Sequence, residues 1–190
     1  KGELPELHHK DRDFFFVPRE TAEKTAETVV DLCVRRLPKA YGVSPMLDIQ
    51  VLCPSRKGET GSVNLNKMLQ ALINPPDKNK NEIISGSRVF REGDKVMQIK
   101  NNYNIIWTKD SQEGTGVFNG DIGIIKKIDR VSASLAVWFD DKEAVYSFEN
   151  FCHMDMRTEE LVADFLSLYG RDIVYMADDL MKIFPRKVAY

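Results

Sequence analysis

Hydrophobic positions change their period twice along the chain. Asp13-Phe14-Phe15-Phe16-Val17 is a short apolar run stopped by Pro18. It predicts a buried strand feeding a helix whose first turn carries the proline. From Arg19 to about Leu37, Ala22, Ala26, Val29, Cys33 and Leu37 recur at helical spacing between Glu and Lys, which predicts an amphipathic helix closed by Pro38 and Gly42. Asp48–Cys53 then reads as a second strand ended by Pro54. After the polar loop 56–61, Ser62 is a plausible N-cap. Leu65, Met68, Leu69 and Leu72 form the apolar face of a second helix, stopped by Asn74-Pro75-Pro76. Strand, helix, strand, loop, helix is the unit of a parallel α/β layer, and two strands are too few to complete one.

Past Pro76 the texture shifts. Residues 77–87 are rich in Lys, Asn, Asp, Ser and Gly and predict a linking loop. From Arg88 to Phe148 the period becomes about two. Strands are expected at Lys95–Ile99, Gly123–Ile128, Leu135–Phe139 and Ala144–Phe148, separated by Glu92-Gly93-Asp94, Asn119-Gly120-Asp121 and Asp140-Asp141-Lys142. Short strands at this spacing predict a small antiparallel barrel over 88–150. Beyond it, Leu161, Phe165, Leu168, Ile173, Met176, Leu180 and Phe184 predict a helical tail over 151–190, in two helices around Gly170.

Composition narrows the function classes. The 190 residues carry 27 Lys+Arg and 29 Asp+Glu, a formal charge of −2, with 43% hydrophobic residues. That is ordinary for a soluble globular chain, and no apolar run reaches the roughly 18 residues of a membrane span. Cys33, Cys53 and Cys152 lie far apart, and His8, His9 and His153 give no ligand spacing. Neither a disulfide framework nor a metal site is suggested, and a reducing, cytoplasmic setting fits. A chain opening on Lys1, with neither initiator Met nor signal peptide, is expected to be a piece of something longer.

There is no G-x-x-x-x-G-K-[ST] phosphate loop, no G-x-G-x-x-G, no G-x-S-x-G and no H-E-x-x-H. No catalytic residue is therefore expected within the chain. Three stretches carry positive signals. Pro54-Ser55-Arg56-Lys57-Gly58-Glu59-Thr60-Gly61 joins a strand to a helix N-terminus, where backbone N–H groups, two glycines and the Arg56 and Lys57 cations suit a phosphate. An ordinary strand-to-helix loop with solvated charges is the simpler explanation, because such loops are common. Residues 78–109 hold seven Lys/Arg against three Asp/Glu, a balance of +4, beside Tyr103 and Trp107. Rings for bases and cations for phosphates are what a single-stranded nucleic acid needs. The alternative is a Trp107 in the barrel core and solvated lysines. In Gly116–Gly123, Asn119-Gly120 most simply marks a tight turn before the next strand.

Together these blocks resemble a known family. Asp48–Leu52 with Pro54-x-Arg56-x-Gly58-x-x-Gly61 and Leu65-Asn66 is similar to the region around motif IV of RecD/TraA-family DNA helicases of superfamily 1. Phe90-Arg91-x-Gly93-Asp94-Lys95-Val96-Met97-Gln98, Asn101-Asn102-Tyr103 and Val117-Phe118-Asn119-Gly120-Asp121-x-Gly123 also look like that family. The resemblance covers about residues 10–150. It implies part of a second RecA-like motor domain, of the phosphate-loop NTPase type, over 1–76, and an inserted SH3-like barrel over 88–150.

The parent activity so implied is ATP-dependent helicase translocation on single-stranded DNA, 5′ to 3′, in repair or recombination. ATP and Mg2+ would be held by the parent rather than by this chain. Some members act with exonuclease V partner subunits and others alone. Arg56, and less directly Lys57, would face the nucleotide; Lys95, Gln98, Lys100, Asn101, Asn102, Tyr103 and Asn119 would face DNA. The family's Thr-x-His-Lys-x-Gln-Gly return motif is missing, and Phe151-Cys152-His153-Met154-Asp155 stands after the barrel instead. A non-enzymatic module, in which barrel and tail bind a protein partner, is the alternative reading. Salt-sensitive DNA binding separates the two.

Overall fold

The computed structural model describes residues 15–86, 88–149, 151, 154–155 and 159–160. They fall into two compact units, one drawn from Lys1–Ile73 and Thr158–Tyr190, the other from Asn74–Arg157.

In the first unit, α1 (Ala22–Asp31) begins where the Thr21 hydroxyl accepts the Lys24 N–H at 3.2 Å. A π-helical turn, Leu32–Arg36, follows, and α2 (Leu37–Tyr41) ends at Gly42 with φ +68°. Pro38 was expected to stop this helix, but it sits inside it. The Leu37 N–H reaches back five residues to Leu32 O, and this wide turn absorbs the donor that proline lacks. Ala26, Val29, Val30, Cys33 and Leu37 are buried with Ile49, Val51, Cys53 and Leu65.

The strand expected over 48–53 is laddered only at β1 (Leu52–Cys53), parallel to the backbone of Glu159–Glu160. Alternate burial of Ile49, Val51 and Cys53 produced the period of two without a full ladder. The strand predicted at 13–17 is corrected as well. Phe15 and Phe16 are exposed and Phe15–Val17 has no ladder, while Asp13 and Phe14 lie outside the described residues. Ser62 opens α3 (Ser62–Ile73) as its first residue rather than capping it.

The second unit starts with β2 (Glu82–Ser85) and β3 (Arg88–Arg91), an antiparallel hairpin. Residues 82–85 were expected to lie in a loop; Ile83 and Ile84 favour the strand that the polar flanks obscured. Then come β4 (Lys95–Gln98), β5 (Asn102–Lys109), β6 (Gln112–Val117), β7 (Ile122–Asp129), β8 (Ser134–Phe139), β9 (Lys142–Ser147) and β10 (Met154–Asp155). Their order is β10-β4-β7-β8-β9-β5-β6, antiparallel at every pairing. Strands β3 to β9 and Phe151 all send side chains into one core, with Phe90, Ile125, Leu135, Val137, Tyr146 and Phe151 among the most deeply buried.

Residues 102–117, to which the sequence pattern assigns no strand, form the β5–β6 hairpin. Its turn, Asp110-Ser111, takes φ +46° and +67°. Paired left-handed residues are what a type I′ turn requires, and Asp-Ser is a weaker signal for it than Asn-Gly. The helical tail lies outside the described residues, apart from Phe151 and the backbone of 154–155 and 159–160.

Candidate nucleic-acid surface

At the end of β4 the chain buries Gln98 completely. The Tyr146 hydroxyl donates to Gln98 Oε1 at 3.1 Å, and Gln98 Nε2 donates to Lys100 O at 2.7 Å. Burial pushes the Tyr146 phenol far above its ordinary value, so it stays a donor throughout the physiological range. The Gln98 main chain is equally engaged: its N–H donates to Asp121 O at 2.9 Å, and its carbonyl accepts the Gly120 N–H at 2.8 Å. Gln98 is thus corrected from a DNA contact to the internal peg of the surface. A strand residue next to a turn can face either way, and alternation alone does not choose the face.

That peg holds two chain segments together. In the turn Phe118–Asp121, Asp121 N–H donates to Phe118 O and Gly120 has φ +94°, the conformation a type II turn needs at its third position. Asp121 Oδ2 accepts the Phe118 N–H at 2.8 Å. Facing it, Asn101 Oδ1 accepts the Asn119 N–H at 2.9 Å, while Asn101 Nδ2 donates to Tyr103 Oη at 3.2 Å. The rings of Tyr103 and Phe118 meet edge to face, centroids 5.8 Å apart at 73°. They are 65% and 45% exposed, a large aromatic area left to water. Lys100, Asn101, Tyr103, Phe118 and Asn119 therefore form one exposed group. Phe118 was missed as a site residue, although its place beside the Asn-Gly turn and two residues after Gly116 was visible.

The other candidates go elsewhere. Asn102 is half-buried and its Oδ1 accepts the Asn104 N–H at 3.1 Å, shaping the bend in β5. Lys95 is half-buried at the opposite end of β4, in register with Ile124, which pairs with Trp138. Trp107 packs against the core over Gly114, with Lys142 Nζ 4.4 Å from its ring centroid. It is a packed residue rather than a stacking platform. Trp138 is 47% exposed, but Lys126 Nζ lies 3.6 Å from its centroid and its Nε1 donates to Glu143 at 2.9 Å.

Nor is the +4 tally a patch. Arg91 is buried, pairing with Glu82 Oε1 at 2.5 Å and donating to Asn74 O. Lys80 donates to Asn74 Oδ1, and Lys109 pairs with Asp141. Sequence proximity grouped charges that the fold separates.

The loop before α3 also differs from a phosphate cradle. The N–H groups of Gly61, Ser62 and Val63 donate to the carbonyls of Gly58, Ser55 and Arg56 at 3.1, 3.0 and 3.2 Å. A Cβ on Gly61 would lie 2.4 Å from Lys57 O, so that glycine admits the loop's own backbone. Arg56 and Lys57 remain exposed. Among the described residues no cluster of His, Cys, Asp or Glu could hold a metal ion, and no helix is long and apolar enough to cross a membrane.

Comparison with known proteins bears on the second unit most directly. A model of the SH3 domain of ATP-dependent RecD-like DNA helicases matches residues 65–139, from α3 into β8. The ATP-dependent RecD2 DNA helicase of Deinococcus radiodurans is 40% identical over 92 residues, 48% of this chain. The chain spans 11% of the length of that curated relative.

Proposed function

From a chain that belongs to the RecD-like DNA helicases through its SH3 domain, we propose that this barrel holds single-stranded DNA for an ATP-dependent helicase. The parent would translocate 5′ to 3′ in cytoplasmic DNA repair or recombination, alone or with exonuclease V partner subunits. The observation that carries the reading is the exposed Tyr103–Phe118 pair, fixed by Asn101 and Asn119 beside Lys100. Unpaired bases stack on such rings, whereas a duplex hides its base faces.

Residues 1–76 are read as part of the second RecA-like motor domain. Because the Gly61, Ser62 and Val63 amides are already bonded, the reading assigns nucleotide contact in this loop to the Arg56 and Lys57 side chains. ATP and Mg2+ are assigned to the parent's first motor domain, and purified 1–190 should show no DNA-stimulated ATPase.

Fluorescence anisotropy with a labelled single-stranded oligonucleotide and its duplex tests the reading. Binding that favours the single strand, and falls about tenfold in Tyr103→Ala, is expected. Absence of binding at protein concentrations of about 0.1 mM, where even non-specific contacts register, overturns it. A protein-docking module remains the second reading. Trp138, Val145 and Ile106, all about half exposed on the barrel, favour it. Ile106→Lys and Val145→Lys would leave DNA binding intact and abolish capture of a partner subunit.

A further inference from the structure

We propose that the barrel grips its strand by the faces of unpaired bases rather than by phosphates, with Phe118 as the second half of the grip. The inference rests on the single-strand reading above and states how that site recognises its ligand.

Charge argues first. Across the two segments that build the surface, 98–103 and 117–121, the charged side chains are Lys100 and Asp121, so one positive minus one negative leaves zero. Asp121 is fixed in place by the Phe118 N–H. A groove that tracked the backbone would need several cations in line, and four of the seven basic residues of 78–109 are placed elsewhere. Arg91 and Lys80 are bonded to Asn74, Lys109 to Asp141, and Lys95 lies at the far end of β4.

Geometry argues second. Asn101 ties Tyr103 Oη to the Asn119 backbone, and buried Gln98 ties the 118–121 turn to β4. Gly116, at φ +96°, lets the Phe118 ring fold back over it: a Cβ there would lie 3.1 Å from Phe118 Cζ. Both rings are therefore set before any ligand arrives, which limits the ordering entropy that binding must overcome. At 73° to each other, they cannot stack on two parallel neighbouring bases. The strand must splay between one base on Tyr103 and the next on Phe118. Only an unpaired, flexible strand can do that.

The test compares two probes of equal charge on the whole 1–190 chain: oligo-dT and an oligomer of the same length made of abasic sites. Stacking is worth about 1–3 kcal/mol per base, so the abasic strand should bind at least about tenfold more weakly. Phe118→Ala and Tyr103→Ala should weaken oligo-dT binding and leave abasic binding unchanged. Phe118→Trp and Tyr103→Phe, which keep a ring, should retain it. The slope of log affinity against log salt should correspond to about one phosphate contact, near −0.7. Equal binding of both probes with a steep salt slope overturns this proposal while leaving the barrel a single-strand binder. Failure to bind either probe overturns both.

Discussion

The Tyr146 hydroxyl lies 3.1 Å from Gln98 Oε1 inside the barrel, with both side chains fully buried. This pair links the core of β9 to a residue whose main chain holds the 118–121 turn of the candidate surface.

Tyr146→Phe tests that link. It keeps the ring's contacts with Phe139 and Phe151 and strands one buried carbonyl oxygen. An unsatisfied buried acceptor costs about 1–3 kcal/mol, so the urea midpoint should fall with the slope unchanged. If Gln98 were a ligand contact instead, Gln98→Ala would weaken DNA binding without loss of stability. The opposite ranking is expected.

Gly114→Ala should destabilise the barrel, although replacing glycine in a strand ordinarily helps. Gly114 pairs with Trp107, and a Cβ there would stand 2.2 Å from Trp107 Cζ2. The indole must leave its place between the core and Lys142. Overpacking of this kind costs about 1–3 kcal/mol, which chemical denaturation would show together with a shift in tryptophan emission. An unchanged emission maximum and midpoint would mean that the ring is not seated there.

How much of this could be read from the sequence follows from which signals are local. Turn residues with φ > 0 and alternating apolar runs are local, so β4, β7, β8 and β9 were placed to within a few residues. The β5–β6 hairpin was hidden because Asn102-Tyr103-Asn104 has poor strand propensity and Asp110-Ser111 is an uncommon turn pair. Site residues were legible as a segment but not as a set. Lys100, Asn101, Tyr103 and Asn119 come together, while Gln98 turns inward and Lys95 goes to another row. Facing depends on the pairing register, which no single stretch encodes.

Glu92 should give the barrel an acid-sensitive component. Burial works to raise its carboxyl, but donors from the Ile128 N–H at 2.8 Å, the Asn81 N–H at 3.0 Å and the Asn81 amide at 3.2 Å outweigh it, with help from Lys127. The net shift is downward from 4.5. A carboxyl lowered on folding contributes stability that is complete above the unfolded value and lost as pH falls through the folded one. Stability measured by urea melts should therefore decline below about pH 4.5 in the native chain, and this decline should be smaller in Glu92→Gln. Identical acid limbs would show that Glu92 is not the titrating group.

Asn74 is a small residue with a large role in the second unit. Its Nδ2 donates to Asp94 Oδ1 at 2.7 Å and to Glu92 O at 3.1 Å, its Oδ1 accepts from Lys80, and its main-chain carbonyl accepts from Arg91. Asp94 is itself buried. Asn74→Ala removes a donor from a buried carboxylate, at a cost of about 1–3 kcal/mol or somewhat more. Asn74→Gln, with the same groups one methylene further out, should not rescue it. Full stability of Asn74→Ala in a denaturant melt would show that water replaces the amide.

The loop before α3 offers a test that also bears on nucleotide contact. Ser62 and Val63 donate to Ser55 and Arg56, so their amides should exchange slowly although they open a helix, where amides are ordinarily free. Gly61→Ala drives a Cβ to within 2.7 Å of three backbone atoms of Arg56 and Lys57. Backbone cannot swing aside as a side chain can, so the loop must open. Both amides should then exchange like unstructured ones while the protection of β7 and β8 is unchanged. Fast exchange of Ser62 and Val63 in the native chain would reverse the conclusion. Their N–H groups would then be available to a phosphate, and the loop would regain the cradle that its own carbonyls now fill.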